Sequence, residues 1–481
     1  MVSNFANYLP RLCLCQGGSA PAPLGISWPQ ESHGPDGPWH AVQISLGKPP
    51  QQLALYPGGS WGSRILLISN CQNTSLSSTC YTTRQQGRSI SLSLIRNDGT
   101  VLPIGVAERL PLYGTAYHAL DQMDVEGKVS PNVSLQALSN VYHKYPGGKF
   151  SPVQVGVLSL GSPDINQTFN IYEANDSAIQ ATFSPSYLYT HDLIPSYSYG
   201  MHIGSVALGI SGSLQLGGYD KNRGSSPWSY VHMPGLLSHG NSSIFYSITA
   251  HISGADPYMY LPQSTCDAIA AQLPVTYQPD YGLYFWNTNN TIVGSPAYLE
   301  FIFSKDSRNN ANLTIKVPFR LLNLTLEPPL VDKPTPYFPC MGTNGTYVLG
   351  RAFMQAAFVG VHWSLRNWFL AQAPGPNKPG PPWVLTINPD NTKIYGSDSE
   401  WVNSWKGHWT ELPINSTTPY VHDPDPVQGL SYGAKAGIGI GVALGALLAI
   451  APVAVWLMRR RKKAGASEPA PDLVYTAAHT N

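Results

Sequence analysis

Between residues 38 and 373 the chain alternates short apolar runs with Gly, Pro, Asn and Ser, and the runs repeat with a period close to two. Segments 40–47 (HAVQISLG), 64–69 (RILLIS), 89–95 (SISLSLI), 155–161 (VGVLSLG), 211–218 (SGSLQLGG) and 246–253 (YSITAHIS) each place side chains on alternate faces of an extended backbone. The pattern therefore predicts strands joined by tight turns. One helical patch interrupts it, at 266–273 (CDAIAAQL), where Ala and Leu favour the helix. From Pro374 the sequence turns Pro-rich (PGPNKPGPPW), which predicts a stalk over 374–435.

Residues 436–458 (AGIGIGVALGALLAIAPVAVWLM) then run without a charge. At about 1.5 Å per residue this is enough to cross a hydrocarbon core of about 30 Å. Arg459, Arg460, Arg461, Lys462 and Lys463 follow directly, so the positive-inside rule predicts a type I single-pass topology, with the N-terminal part outside the cytosol and a cytoplasmic tail over 459–481. The plasma membrane or the secretory pathway is the expected location. Gly433, Gly437, Gly441 and Gly445 recur every four residues and would make one flat helix face, so a homodimer through the span is an expected partner arrangement. Segment 1–37 reads as a leader or N-terminal extension. Its first thirty residues hold no apolar run of the roughly 7–15 residues that a signal peptide needs, and the expectation is a leader upstream of Met1.

Composition sharpens this picture. Charged residues make up 11% of the 481, against about 25% in an average soluble protein, and the net charge is +1. No field gathers nucleic acid, and no basic stripe precedes residue 430. Cys13, Cys15, Cys71, Cys80, Cys266 and Cys340 lack the paired C-x-x-C spacing of a four-thiolate zinc site, so disulfides are expected and neither metal nor cofactor is implied. Sugar-acceptor sequons stand at Asn73, Asn132, Asn166, Asn175, Asn241, Asn289, Asn312, Asn323, Asn344 and Asn415, all before the apolar span.

Five segments, in order, carry a family pattern. Ile44–Gln51 (ISLGKPPQ) resembles a hairpin usually written hydrophobic-x-hydrophobic-Gly-Thr-Pro-Pro-Gln, and 155–160 (VGVLSL) resembles Asp-Gly-Ile-Leu-Gly-Leu. Residues 212–220 (GSLQLGGYD) match Gly-x-Leu-x-Leu-Gly-Gly-x-Asp, 347–354 (YVLGRAFM) match Tyr-Ile-Leu-Gly-x-x-Phe-Leu, and 369–373 (FLAQA) close the pattern. Together they resemble the pepsin-like aspartic proteases, particularly membrane-linked fungal members. The resemblance implies a mainly β, bilobal fold over 38–373, with lobes of about 38–190 and 191–373. It also implies disulfides between Cys71 and Cys80 and between Cys266 and Cys340.

In that family two carboxylates face each other about 3 Å apart, share one proton and activate a water. Here the resemblance puts Gly58 at the first position and Ser253 at the second. No Asp or Glu occurs from Gly37 to Asn97, so no small slip of alignment restores the first acid. Asp256, three residues beyond Ser253, is the one residual acid near the second position, and its Asp-Pro context also suits a turn. Tyr113 resembles the tyrosine of the flap that covers the cleft, or else packs as an ordinary strand residue. The segment 58–62 (GGSWG) fits G-x-S-x-G, but a strand-like run follows it where a nucleophile elbow needs a helix. The expected function is therefore that of a catalytically inactive ectodomain recognising a peptide or a surface. Two further readings stand beside it: an aspartic endopeptidase with displaced acids, and a structural cell-surface glycoprotein.

Overall fold

The computed structural model describes residues 20–58, 62–67, 93–97, 110–170, 178–232, 236–239, 247–288, 291–304, 311–377, 380–397 and 400–410. Strands dominate, as the two-residue period predicts. The first hairpin shows why. In Val42–Leu46 the side chains of Val42, Ile44 and Leu46 are buried while Gln43 and Ser45 are partly exposed, and Gly47 supplies the positive φ of 77° that turns the chain into Gln51–Gly58.

Three strand systems organise the described residues. A ten-stranded sheet takes all its strands from segment 42–182 and forms the first lobe. A seven-stranded sheet and a four-stranded sheet, drawn from 236–349, form the second. A further, six-stranded sheet is built from Leu24–Gly25, Ser213–Leu216, Ser198–His202, Ala357–His362, Asn367–Gln372 and Ser225–His232. One apolar core continues through all three, and its largest covered members include Trp39, Tyr258, Tyr260, Tyr337, Phe338 and Phe353. The architecture is the mainly β, two-lobed one expected.

The predicted helical patch is found as Gln263–Ala270, shifted toward Pro262, which serves as its N-cap. Cys266 on this helix is bonded to Cys340 on strand Cys340–Gly342, with Cα atoms 5.7 Å apart, as the family pattern implies. Cys71, Cys80, Cys13 and Cys15 lie outside the described residues, as do the apolar span 436–458 and the glycines at 433, 437, 441 and 445. Among the described residues no helix is long and apolar enough to cross a membrane.

Two boundaries need correction. The extension over 1–37 does not stay apart from the domain: Leu24–Gly25 adds an edge strand to the six-stranded sheet, and the backbone of Glu327 donates to the carbonyl of Pro35 at 2.7 Å. The segment after Pro374 is likewise no free stalk over its described length. Val384–Thr386 pairs with Gly218–Asp220, the Thr410 N–H donates to the Gly294 carbonyl at 2.8 Å, and Arg320 donates to the carbonyl of His408. Prolines alone suggested an extended spacer. The tryptophans between them decide otherwise, because Trp405 is 1% exposed and stacks on Trp409 with ring centroids 5.7 Å apart. Gly375 is needed beneath it, since a Cβ there would stand 2.6 Å from the indole.

Trp405→Ala should thus remove a buried side chain from a closed site. The expected cost is about 3–5 kcal/mol of unfolding free energy in urea titration, whereas a free stalk would show no change.

Candidate functional site

The two lobes repeat one arrangement. In the first, Gln51–Gly58 runs parallel to Gly156–Ser159, with Pro57 opposite Leu158. In the second, Ser247–Ile252 runs parallel to Tyr347–Leu349, with Ile252 opposite Leu349. Both partner strands read Val-Leu at the matching step, so Gly58 and Ser253, each the next residue along, occupy equivalent positions. Neither can supply a carboxylate. Ser253 is half-buried, and its N–H donates to the Leu349 carbonyl at 3.2 Å.

Around these positions the loops close on each other. A Cβ on Gly254 would lie 1.9 Å from the carbonyl oxygen of Pro57, so only glycine fits where the two backbones meet. A Cβ on Gly58 would stand 2.9 Å from Val157 Cγ1 and 3.3 Å from Ala255 N, tight but movable on the valine side.

A cation fills the space beside this junction. Arg351 follows Gly350 at the start of helix Arg351–Met354, and its backbone N–H donates to the Asp256 carbonyl at 2.7 Å. Its Nη1 donates to the carbonyls of Gly254 and Ala255, both at 3.0 Å. Nη2 lies 3.5 Å from Asp36 Oδ2, and the guanidinium carbon sits 3.9 Å from the Tyr56 ring centroid and 5.0 Å from that of Trp39. Asp36 accepts from Trp39 Nε1 at 2.9 Å, and its backbone carbonyl accepts from the Tyr337 hydroxyl. Burial raises the Asp36 carboxyl above its usual range, against the opposing pull of Arg351. Tyr145, Tyr258, Tyr260 and Tyr337 are pushed up in the same way, so all four stay neutral hydroxyls. Tyr145 and Tyr258 join hydroxyls at 2.9 Å.

Beside Arg351 a small cavity, partly open to solvent, is lined by Asp36, Asp256, Arg64, Tyr145, Tyr260 and the stretch 151–157 among others. Asp256 is 4% exposed. A guanidinium hydrogen-bonded to two carbonyls stabilises negative charge and cannot take a proton, whereas acid proteolysis needs a carboxylate pair that shares one.

The other expected residues fall apart from this place. Tyr113 lies near the start of strand Leu112–Val125, 47% exposed, edge-on to Phe150 at 6.1 Å, and does not line the cavity. The sequon residues Asn132, Asn166, Asn312 and Asn344 are exposed and Asn323 is half-buried. Asn73, Asn175, Asn241, Asn289 and Asn415 lie outside the described residues. Arg351, Asp36 and Arg64 were not anticipated. Arg351 left one signal, a cation within the apolar run 347–354. Asp36 left none beyond lying one residue before the acid-free stretch.

No protein-family model matches the chain, and no curated protein matches it. Among solved structures, the aspartic proteinase from Irpex lacteus is similar at 12% identity with a TM-score of 0.49, over 73% of this chain and 98% of that one.

Replacing Arg351 by Met leaves the largely covered Asp36 carboxylate, its side chain 14% exposed, without its cation. The expected loss at neutral pH is about 3–5 kcal/mol. The sign with pH follows: a carboxyl whose folded pKa is raised favours folding below that pKa and loses this stability as pH rises through it. The Arg351→Met defect should therefore shrink on acidification, and Asp36→Asn added to it should restore stability at neutral pH. A defect independent of pH in chemical unfolding would refute the pairing.

Proposed function

We propose that this chain is a non-catalytic recognition ectodomain with a pepsin-like bilobal fold, carried on a type I membrane anchor. The carrying observation is the pair of equivalent positions Gly58 and Ser253, with the guanidinium of Arg351 bonded to the loop immediately after Ser253. Where acid chemistry needs two carboxylates and a water, this chain offers a backbone contact and a fixed cation. The cleft between the lobes keeps its capacity to hold a peptide or a surface group, because strand-type hydrogen bonds to an extended chain need no aspartate. The anchor is supported by the uncharged run 436–458 and the basic cluster after it, and the glycosylated exterior by the exposed sequons.

A second reading has one observation in its favour. Asp36 and Asp256 line the same cavity and could act as displaced acids in an endopeptidase. Against it, Asp36 is engaged by both Arg351 and Trp39.

The purified chain is expected to cleave no unfolded protein between about pH 3 and 7 and to ignore transition-state mimics of aspartic proteases. Gly58→Asp with Ser253→Asp is the smallest change that could restore activity, and it requires Val157 to yield. Mimic-sensitive cleavage by the unmodified chain, abolished by Asp256→Asn or Asp36→Asn, would establish the second reading instead. Protease added outside intact cells should spare only a fragment containing 436–458, and glycosidase should shift the mobility of the intact chain. An unglycosylated chain in the cytosol would remove the topology.

A further inference from the structure

We infer that the turn 145–149 is a releasable latch between the two lobes, and that its release lets them part about the junction fixed by Arg351. This goes beyond the recognition reading and stands whether or not the chain is catalytic. The turn joins strand Lys128–Lys144 to strand Phe150–Pro152 in the first lobe. It meets the turn 279–282, which joins strand Val275–Gln278 to strand Leu283–Trp286 in the second. The Gly147 N–H donates to the Asp280 carbonyl at 2.9 Å. Lys149 Nζ donates to the Tyr281 hydroxyl at 2.5 Å and stands 4.4 Å from the centroid of that buried ring. A Cβ on Gly147 would lie 2.4 Å from Asp280 Cα, and one on Gly282 would lie 2.8 Å from Pro146 Cγ. The two turns are thus fitted to each other at backbone distance, with a glycine on each side. Beneath them the hydroxyls of Tyr145 and Tyr258 meet at 2.9 Å.

The makeup of the contact says which attachment yields first. Residues 146–150 are all exposed, so parting the turns uncovers little apolar surface and breaks polar bonds that water can replace. The first turn also closes on itself, through the Tyr145 N–H to the Lys149 carbonyl at 2.8 Å and the Gly148 N–H to the Tyr145 carbonyl at 2.9 Å. It therefore keeps its shape without the second lobe. The junction of Arg351 with Asp36 and of Gly254 with Pro57 is covered and partly charged, and breaking it leaves buried groups unmet. Segments held by exposed polar contacts open at lower free energy than covered ones, so the unequal pair acts as latch and hinge. Position gives the motion an effect. Tyr145 and Ser151, on either side of the latch, line one wall of the cavity beside Arg351, while 255–257 and Tyr260 line the wall of the second lobe. Release widens the gap between these walls. The hydrogen bond to Tyr281 holds the Lys149 ammonium above its usual pKa, against slight burial, and Asp280 and Asp332 act in the same sense, so acidification does not spring the latch.

The test is the distance between the lobes in the full-length chain, read by pulsed electron resonance from spin labels carried by unnatural residues at exposed Val129 and Gln272. Gly147→Ala drives a methyl group into Asp280 and leaves the turn's own bonds intact. Lys149→Ala removes the ammonium from an exposed position and covers the case that Gly147→Ala fails to fold. Each is expected to add a second, longer population of distances and to speed hydrogen exchange of the Gly147 amide about fivefold or more. Pro146→Cys with Gly282→Cys supplies a lock, because a Cβ at 282 would stand 3.8 Å from Pro146 Cβ, close to the usual disulfide spacing. Oxidising that pair in the Lys149→Ala chain should restore the single distance, a rescue that a merely local role of Lys149 would not show. One unchanged distance in both Gly147→Ala and Lys149→Ala overturns the inference, as does a cysteine pair that closes only with the lobes displaced.

Discussion

The guanidinium of Arg351 is the contact on which the middle of the molecule depends. It touches three stretches of chain far apart in sequence: the N-terminal segment through Asp36, the first lobe through the Tyr56 ring, and the second lobe through the carbonyls of Gly254 and Ala255. A buried ion pair adds little net stability over an apolar substitute of the same shape, because taking both charges out of water offsets their attraction. Its effect is on specificity of arrangement. Once the cation is in place, Asp36, Trp39 and the loop after Ser253 each have one position in which all charges are met.

That arrangement also brings the two loops that carry Gly58 and Gly254 together. A carboxylate pair at the junction would carry its own repulsion and need a shared proton and a water. Glycine at positions 58 and 254 lets the loops approach instead until backbone meets backbone, and the arginine caps the carbonyls this leaves over. The neutral tyrosines nearby lower the local polarity, which strengthens the remaining electrostatic contacts.

The strand runs, the first hairpin and the helix near Cys266 were legible in the sequence, because each is written in local periodicity or in a short motif. Asp36 was not. Its meaning depends on a partner 315 positions away, and no local pattern marks such a pair. Tyr113 lies in the long pairing of Leu112–Val125 with Lys128–Lys144, exposed and beside Phe150. The segment after Pro374 was misread because proline content speaks for backbone stiffness, while the fate of that segment is set by where its tryptophans can be covered.

The belt formed by 384–410 has a mechanical consequence. Any load reaching the domain from beyond residue 410 enters at the bond between Thr410 and Gly294 and at the contact of Arg320 with His408, both on the second lobe. It must then peel the tryptophan stack of 405 and 409 before it reaches the short ladder between Val384–Thr386 and Gly218–Asp220. The belt would act as a sacrificial clasp that yields in stages, sparing the six-stranded sheet and the registry of the two lobes until its last rung gives way.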